Sequence, residues 1–221
     1  MMMNTLEIAE SILMEKFRTE PFHNFHRLKE TENFSSCGGT CSDKTKSYIR
    51  ALHENGIKAN LHTALIDNKY NHQIARIEFE GHSCFADAGN GWPSIYLYPD
   101  NKEVNYRCYG MSFRSEIYND TIKIFHTRNN IEKLQMEFNR IPQSQELVKK
   151  NMNRRFTNNT EYPFDMGIRF SMVVADRFLF IRNNELQIYS DTEYSSFDIV
   201  SPNNLSDIIK EHYYFTITSN N

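Results

Sequence analysis

Gly56 divides the chain into two textures, and that division constrains the fold more than any single motif. Before it, residues 5–17 place Leu6, Ile8, Ala9, Ile12, Leu13 and Phe17 at spacings near three and four. Residues 42–55 repeat the pattern, with Thr45, Tyr48, Ile49 and Leu52 on one face. Both stretches read as amphipathic helices, and a glycine directly after Asn55 is a helix stop. Beyond Gly56 the apolar residues fall in short strand-like runs, 57–66, 71–79 and 83–88, separated by Asp67-Asn68-Lys69 and Glu80-Gly81. Turn residues between such runs predict an antiparallel meander. Helices followed by antiparallel strands make an α+β chain.

The remainder is read more coarsely. Strands are expected at 104–113 and 121–126, a helix at about 131–138, and a polar connection over 140–160. In that connection Lys149, Lys150, Arg154 and Arg155 read as a solvated charge run. Further strands are expected at 169–175, 177–182, 185–190 and 196–200. A helix capped by Asn203 or Asn204 then runs to about residue 212, followed by an extended end at 215–218. Pro21 to Leu28 reads as a bend that carries Phe22, Phe25 and Leu28 into a core, with His23 and His26 in structural roles.

At 221 residues the chain can bury a substantial core. A net charge of −3, with both signs interspersed, gives no reason to expect nucleic acid or an anionic membrane as the main partner. Four cysteines are too few for a disulfide framework at this length, so a reducing compartment is expected. Residues 1–16 carry neither a cationic start nor a continuous apolar run. A cytoplasmic protein with no membrane partner is the resulting expectation.

Chemistry concentrates at Cys37-Gly38-Gly39-Thr40-Cys41, which leads directly into the second helix. A cysteine that opens a helix meets backbone N–H groups and the positive end of the macrodipole, and both favour thiolate over thiol. The common alternative is a small buried hydrophobe. A nucleophile needs a base, and position selects among the eight histidines. If a two-residue turn at Glu80-Gly81 pairs Phe79 with His82, then Asp87 opposes Ile74. His72 and Asp87 then share a sheet face as diagonal neighbours about 7–8 Å apart at the backbone. An odd-length loop would put them on opposite faces. In the favourable register Asp87 orients His72, and His72 deprotonates Cys41. The plainer readings are a hydrogen-bonded histidine at a strand start and a turn-forming aspartate before Gly89. Zinc held by Cys37, Cys41 and a histidine is disfavoured by three intervening residues and the lack of a second cysteine pair, so no metal is expected.

These residues resemble the motifs of the arylamine N-acetyltransferases. That family's nucleophile lies in Arg-Gly-Gly-x-Cys, and its histidine precedes by fifteen positions the aspartate of Asp-x-Gly-Phe-Gly. Here His72 precedes Asp87-Ala88-Gly89-Asn90-Gly91 by the same fifteen. Pro21-Phe22-His23-Asn24-Phe25 resembles the family's Pro-Phe-Glu-Asn-Leu, Tyr162-Pro163-Phe164 its Ser-Pro-Phe, and residues 205–213 its closing helix. The resemblance implies a cysteine-proteinase-like fold in three parts forming one catalytic unit. These are a helical bundle with the cysteine (1–56), an antiparallel β-barrel with His72 and Asp87 (57–150), and a small α/β lid (151–221). It further implies acetyl-CoA as acyl donor, a small-molecule amine or hydrazine as acceptor, and a ping-pong reaction through acyl-Cys41. Phe22, Gly89, Asn90 and Gly91 are the implied substrate-binding residues.

Among the positions that depart from the pattern, three bear on the site. Cys37 replaces the arginine, His23 the glutamate and Asn90 the phenylalanine. If the arginine and glutamate pair in the family, losing both is milder than stranding one buried charge. A Cys-His-Asp set also suits a hydrolase or a transglutaminase-like enzyme, and the altered loop suits a silent binding protein on the same fold.

Overall fold

The structure is a computed structural model and describes residues 4–28, 34–35, 37–66, 70–157, 166–199, 204–216 and 218–219. Helix α1 (Thr5–Thr19) starts in a reciprocal cap. Asn4 Oδ1 accepts from Glu7 N, and Glu7 Oε2 accepts from Asn4 N, each at 2.9 Å. It buries Ala9, Ile12, Leu13 and Phe17. Much of that face meets α2 (Cys41–Glu54), whose Tyr48 hydroxyl donates to Ala9 O at 3.0 Å. The 57–66, 71–79 and 83–88 runs form β3 (Ala59–Ile66), β4 (Tyr70–Phe79) and β5 (His82–Ala86). The short strands β1 (Phe22–His23) and β2 (Phe34–Ser35) precede α2.

Next come β6 (Tyr98–Pro99), β7 (Asn105–Cys108), β8 (Met111–Tyr118), β9 (Thr121–Arg128) and β10 (Ile131–Asn139). With β3 to β5 they build an eight-stranded sheet in the order β6-β5-β4-β3-β10-β9-β8-β7, whose named pairings are all antiparallel. After α3 (Gln145–Thr157), strands β11 (Arg169–Val174), β12 (Arg177–Arg182), β13 (Glu185–Tyr189) and β14 (Tyr194–Asp198) form a second sheet with β1 at its edge. Helix α4 (Leu205–Tyr213) packs Leu205, Ile209 and Tyr213 into that sheet's core, and β15 (Thr218–Ser219) pairs with β2. Among the described residues no helix is long and apolar enough to cross a membrane. The architecture is α+β, as the sequence predicts.

Three local expectations fail for identifiable reasons. The helix expected at 131–138 is β10. Ile131, Leu134 and Phe138 fall at helical spacing only because a bulge between Leu134 and Met136 breaks the two-residue alternation. The single strand expected at 104–113 is the β7–β8 hairpin, turned by Tyr109 (φ 49°) and Gly110 (φ 72°). The polar connection at 140–160 contains α3, which leaves Lys149 and Lys150 exposed and buries Val148. The Asp67-Asn68-Lys69 turn and the Tyr162-Pro163-Phe164 motif lie outside the described residues.

Candidate active site

The loop ahead of α2 is fixed to β1 by its backbone. Gly39 N donates to Pro21 O at 3.1 Å, and His23 N donates to Gly39 O at 3.0 Å. Gly38, at φ +92°, lies so close to Pro21 that a Cβ there would fall 2.0 Å from Pro21 O, so a side chain is excluded. Thr40 then caps the helix. Asp43 Oδ2 accepts from both Thr40 N and Thr40 Oγ1 at 3.0 Å. Cys41 follows as the first helical residue and is 4% exposed.

The β4–β5 hairpin delivers the other two groups. Its turn residues Glu80 and Gly81 have φ of 47° and 82°, the signs of a type I′ turn. The ladder runs from Phe79↔His82 to Ala75↔Ala86, which is the even register that puts His72 and Asp87 on one face. His72 Nε2 lies 2.7 Å from Asp87 Oδ1, with both side chains buried. The His72 ring also hydrogen-bonds the Cys41 side chain. Asp87 occupies Nε2, so that contact falls to Nδ1.

Close approach of the two segments depends on Gly89. A Cβ on it would lie 2.5 Å from Cys41 Cα and 2.6 Å from Cys41 O. Asn90 is 6% exposed and donates from Nδ2 to Asp87 Oδ2 at 2.9 Å. Gly91 O accepts from Ser171 Oγ at 2.8 Å, and the Phe22 ring, 2% exposed, lies beside Gly91. The structure thus gathers Cys41, His72, Asp87, Phe22, Gly89, Asn90 and Gly91 into one region between the two sheets.

Burial alone would pull the His72 imidazolium toward neutrality. The Asp87 charge and hydrogen bond, with Cys41 adding to them, outweigh it and raise His72 to about 10. An imidazolium at neutral pH is a counter-charge for a thiolate at the helix start. Burial pushes the other thiols away from reactivity, Cys84 up to about 11 and Cys108 up to about 12.

At two of the positions that depart from the family motifs, burial favours the neutral form of the side chain. Burial first, then the charge of His26, lowers His23 to about 4, and its ring stacks on Phe25 with centroids 4.7 Å apart. Cys37 Sγ donates to Thr19 O at 3.4 Å, and burial raises this thiol too. A buried cation nearby is Lys44, which sequence reasoning missed. It is 1% exposed, donates to Lys16 O at 3.1 Å and to Glu20 O, and sits 5.2 Å from the Phe17 ring centroid. Nothing in the helical spacing marked it, because a lysine on an amphipathic helix normally reaches solvent.

No family model matches the sequence, and no curated protein matches it. Solved structures do. One is the arylamine N-acetyltransferase of M. smegmatis, at 14% identity over 95% of this chain and 85% of that one, with a TM-score of 0.77. Another is the Mycobacterium marinum arylamine N-acetyltransferase in complex with CoA, at 14% identity over 97% and 89%, TM-score 0.78. The enzyme of Salmonella typhimurium aligns at 14% identity over 97% and 92%, TM-score 0.70. Backbone agreement over nearly the whole of both chains shows that this protein has the fold of the arylamine N-acetyltransferases.

Proposed function

We propose that the protein is an acyltransferase that takes an acetyl or short acyl group from a CoA thioester onto Cys41 and passes it to a small amine or hydrazine. The observation that carries this reading is the buried His72–Asp87 contact of 2.7 Å, with Cys41 on the other side of the same ring at a helix N-terminus. The fold supports the donor, since a structure of the same fold holds CoA. The amine acceptor rests on the resemblance to the family and on the names of the structural relatives.

In the first half-reaction the Cys41 thiolate attacks the thioester carbonyl carbon. A carbon–sulfur bond forms to Cys41, the bond to the CoA sulfur breaks, and His72 Nδ1–H protonates the departing thiolate. In the second, the amine nitrogen attacks the acyl-Cys41 carbonyl, and neutral His72 Nδ1 accepts the amine proton. The amide leaves and the thiolate–imidazolium pair is restored. Asp87 holds and orients the imidazolium throughout.

Mixing the protein with acetyl-CoA and no acceptor tests this directly. One equivalent of CoA should appear in a rapid burst, with the acetyl group on Cys41 by peptide mass mapping, and Cys41→Ala should show neither. Absence of the burst, or acetylation elsewhere, overturns the proposal. Continued CoA release without acceptor would instead identify a thioester hydrolase.

A further inference from the structure

Asp87 has two carboxylate oxygens, and His72 uses only Oδ1. Oδ2 accepts from Asn90 Nδ2 at 2.9 Å, and Asn90 Oδ1 accepts from Trp92 N at 3.0 Å. The Asn90 amide is therefore held at both ends. Turned over, it would set an oxygen against a carboxylate oxygen and an NH2 against an N–H, so its partners fix which end donates. Asn90 N adds a bond of 3.3 Å to Asp87 O. Asn90 is 6% exposed and Asp87 1%, so little water competes for these bonds.

From this arrangement we infer that Asn90 is a positioning residue for the Cys41 chemistry: its amide fixes the plane of the Asp87 carboxylate so that Asp87 Oδ1 stays aimed at His72 Nε2. The inference rests on the Cys41–His72–Asp87 reading above and deepens it. A carboxylate bonded through one oxygen can rotate about Cβ–Cγ, whereas one bonded through both has a fixed plane. The phenylalanine of the family pattern has no donor to offer, so this chain holds its aspartate by a contact of its own.

Among the described residues, His72 from β4 bonds to Asp87, Lys44 from α2 and Tyr98 from β6 couple to its charge, and Cys41 from α2 bonds to His72. His72 and Lys44 attract the carboxylate as charges. Asn90 is the neutral donor that settles its orientation. Without it the hold on the imidazolium weakens, the thiolate–imidazolium pair gives way to the neutral pair, and Cys41 needs a higher pH to react.

The test is the rate of Cys41 alkylation by iodoacetamide from pH 4 to 9 in the wild-type, Asn90→Leu and Asp87→Asn proteins. Asn90→Leu should move the acid limb to higher pH and slow alkylation at pH 6 by about tenfold, the scale of a lost hydrogen bond to a charged group. Trp92 is the only tryptophan and lies two residues away, so its emission reports whether the loop keeps its structure. An unchanged acid limb in Asn90→Leu, with a shifted one in Asp87→Asn, overturns the inference and leaves the triad standing. Unchanged limbs in both variants overturn the triad reading itself. If Asn90→Leu does not fold, the side-chain amide nitrogen resonance of Asn90 in the wild-type protein replaces it. That resonance should titrate with the acid limb of Cys41 alkylation, and a resonance flat across the limb counts as failure.

Discussion

At the scale of single residues, the candidate site depends on an absent side chain as much as on those present. Gly89 lets the end of the β5 segment touch the first turn of α2, and a methyl group there would meet Cys41 Cα at 2.5 Å and Cys41 O at 2.6 Å. Both are backbone atoms, so no rotamer change relieves the collision. Gly89→Ala is expected to destabilise the fold by about 1–3 kcal/mol, as overpacking does. Its larger effect should be on chemistry, since a displacement near 1 Å between nucleophile and base costs on the order of 100-fold in rate. A melting curve and the CoA burst separate the two effects, and wild-type burst kinetics would refute the packing argument. In the sequence the glycine is legible as a turn signal after Asp87 and, through the family resemblance, as a substrate-binding residue. The meeting of His72 with Asp87 and the place of Cys41 at a helix start are legible because helix start, strand pairing and turn length are local properties. The family resemblance places Asn90 among the substrate-binding residues, and nothing in the sequence shows that its amide turns back onto Asp87. Burial of Lys44 is not legible, because it depends on where Lys16 and Glu20 set their carbonyls.

At the scale of elements, the β4–β5 hairpin carries the argument, because its register decides whether His72 and Asp87 meet. The sequence marked this turn through Gly81, and the Phe79↔His82 pairing is the one it implies. The same reasoning missed the Asn129-Asn130 turn, where both residues have positive φ (50° and 59°). Without that break, and with the β10 bulge disguising the alternation, residues 131–138 imitate a helix. Turn chemistry thus outranks hydrophobic period in a sheet of short strands. Glu80 itself is poorly matched to its φ of 47°, a left-handed conformation that asparagine adopts more readily. Glu80→Asn should therefore stabilise the protein by about 0.5–1 kcal/mol, within the range of turn optimisation. CoA burst amplitude should stay at the wild-type level, because the register is unchanged. A lowered melting temperature would show that the Glu80 side chain serves the native state in some other way.

At the scale of the whole molecule, the two sheets meet around Trp92, and among the described residues three buried histidines resist protonation: His23 on β1, His62 on β3 and His126 on β9. Trp92 packs edge-on to Phe180 of the small sheet, centroids 4.7 Å apart, and against His126 of the large sheet at 5.4 Å. His126 in turn stacks on Phe113 at 4.5 Å with planes 3° apart, and its Nε2 has no hydrogen-bond partner among the described residues. Burial first, and then the Arg128 charge, lowers His126 to about 4; burial likewise lowers His23 and His62 to about 4. Between pH 4 and the ordinary histidine value of 6.5 the unfolded chain binds more protons than the folded one. Each of these groups therefore leaves stability intact above pH 6.5 and erodes it as pH falls toward 4. His72, raised to about 10, acts oppositely: its contribution is complete below pH 6.5 and is lost as pH climbs through 10. Lys44, lowered by burial to about 8, restores some stability between pH 8 and its ordinary 10.5. Thermal stability should consequently peak near neutral pH and fall steeply on the acid side. His126→Phe isolates one contributor, because a phenyl ring keeps the stack on Phe113 and has nothing to protonate. It should recover about 2 kcal/mol at pH 5, which for a chain of this size is roughly 4–8 °C in Tm. At pH 7.5 the variant should melt within about 2 °C of the wild type, since the orphaned Nε2 contributes no bond there. Equal losses of Tm between pH 7.5 and pH 5 in the variant and the wild type would place the acid sensitivity elsewhere than at the seam between the sheets.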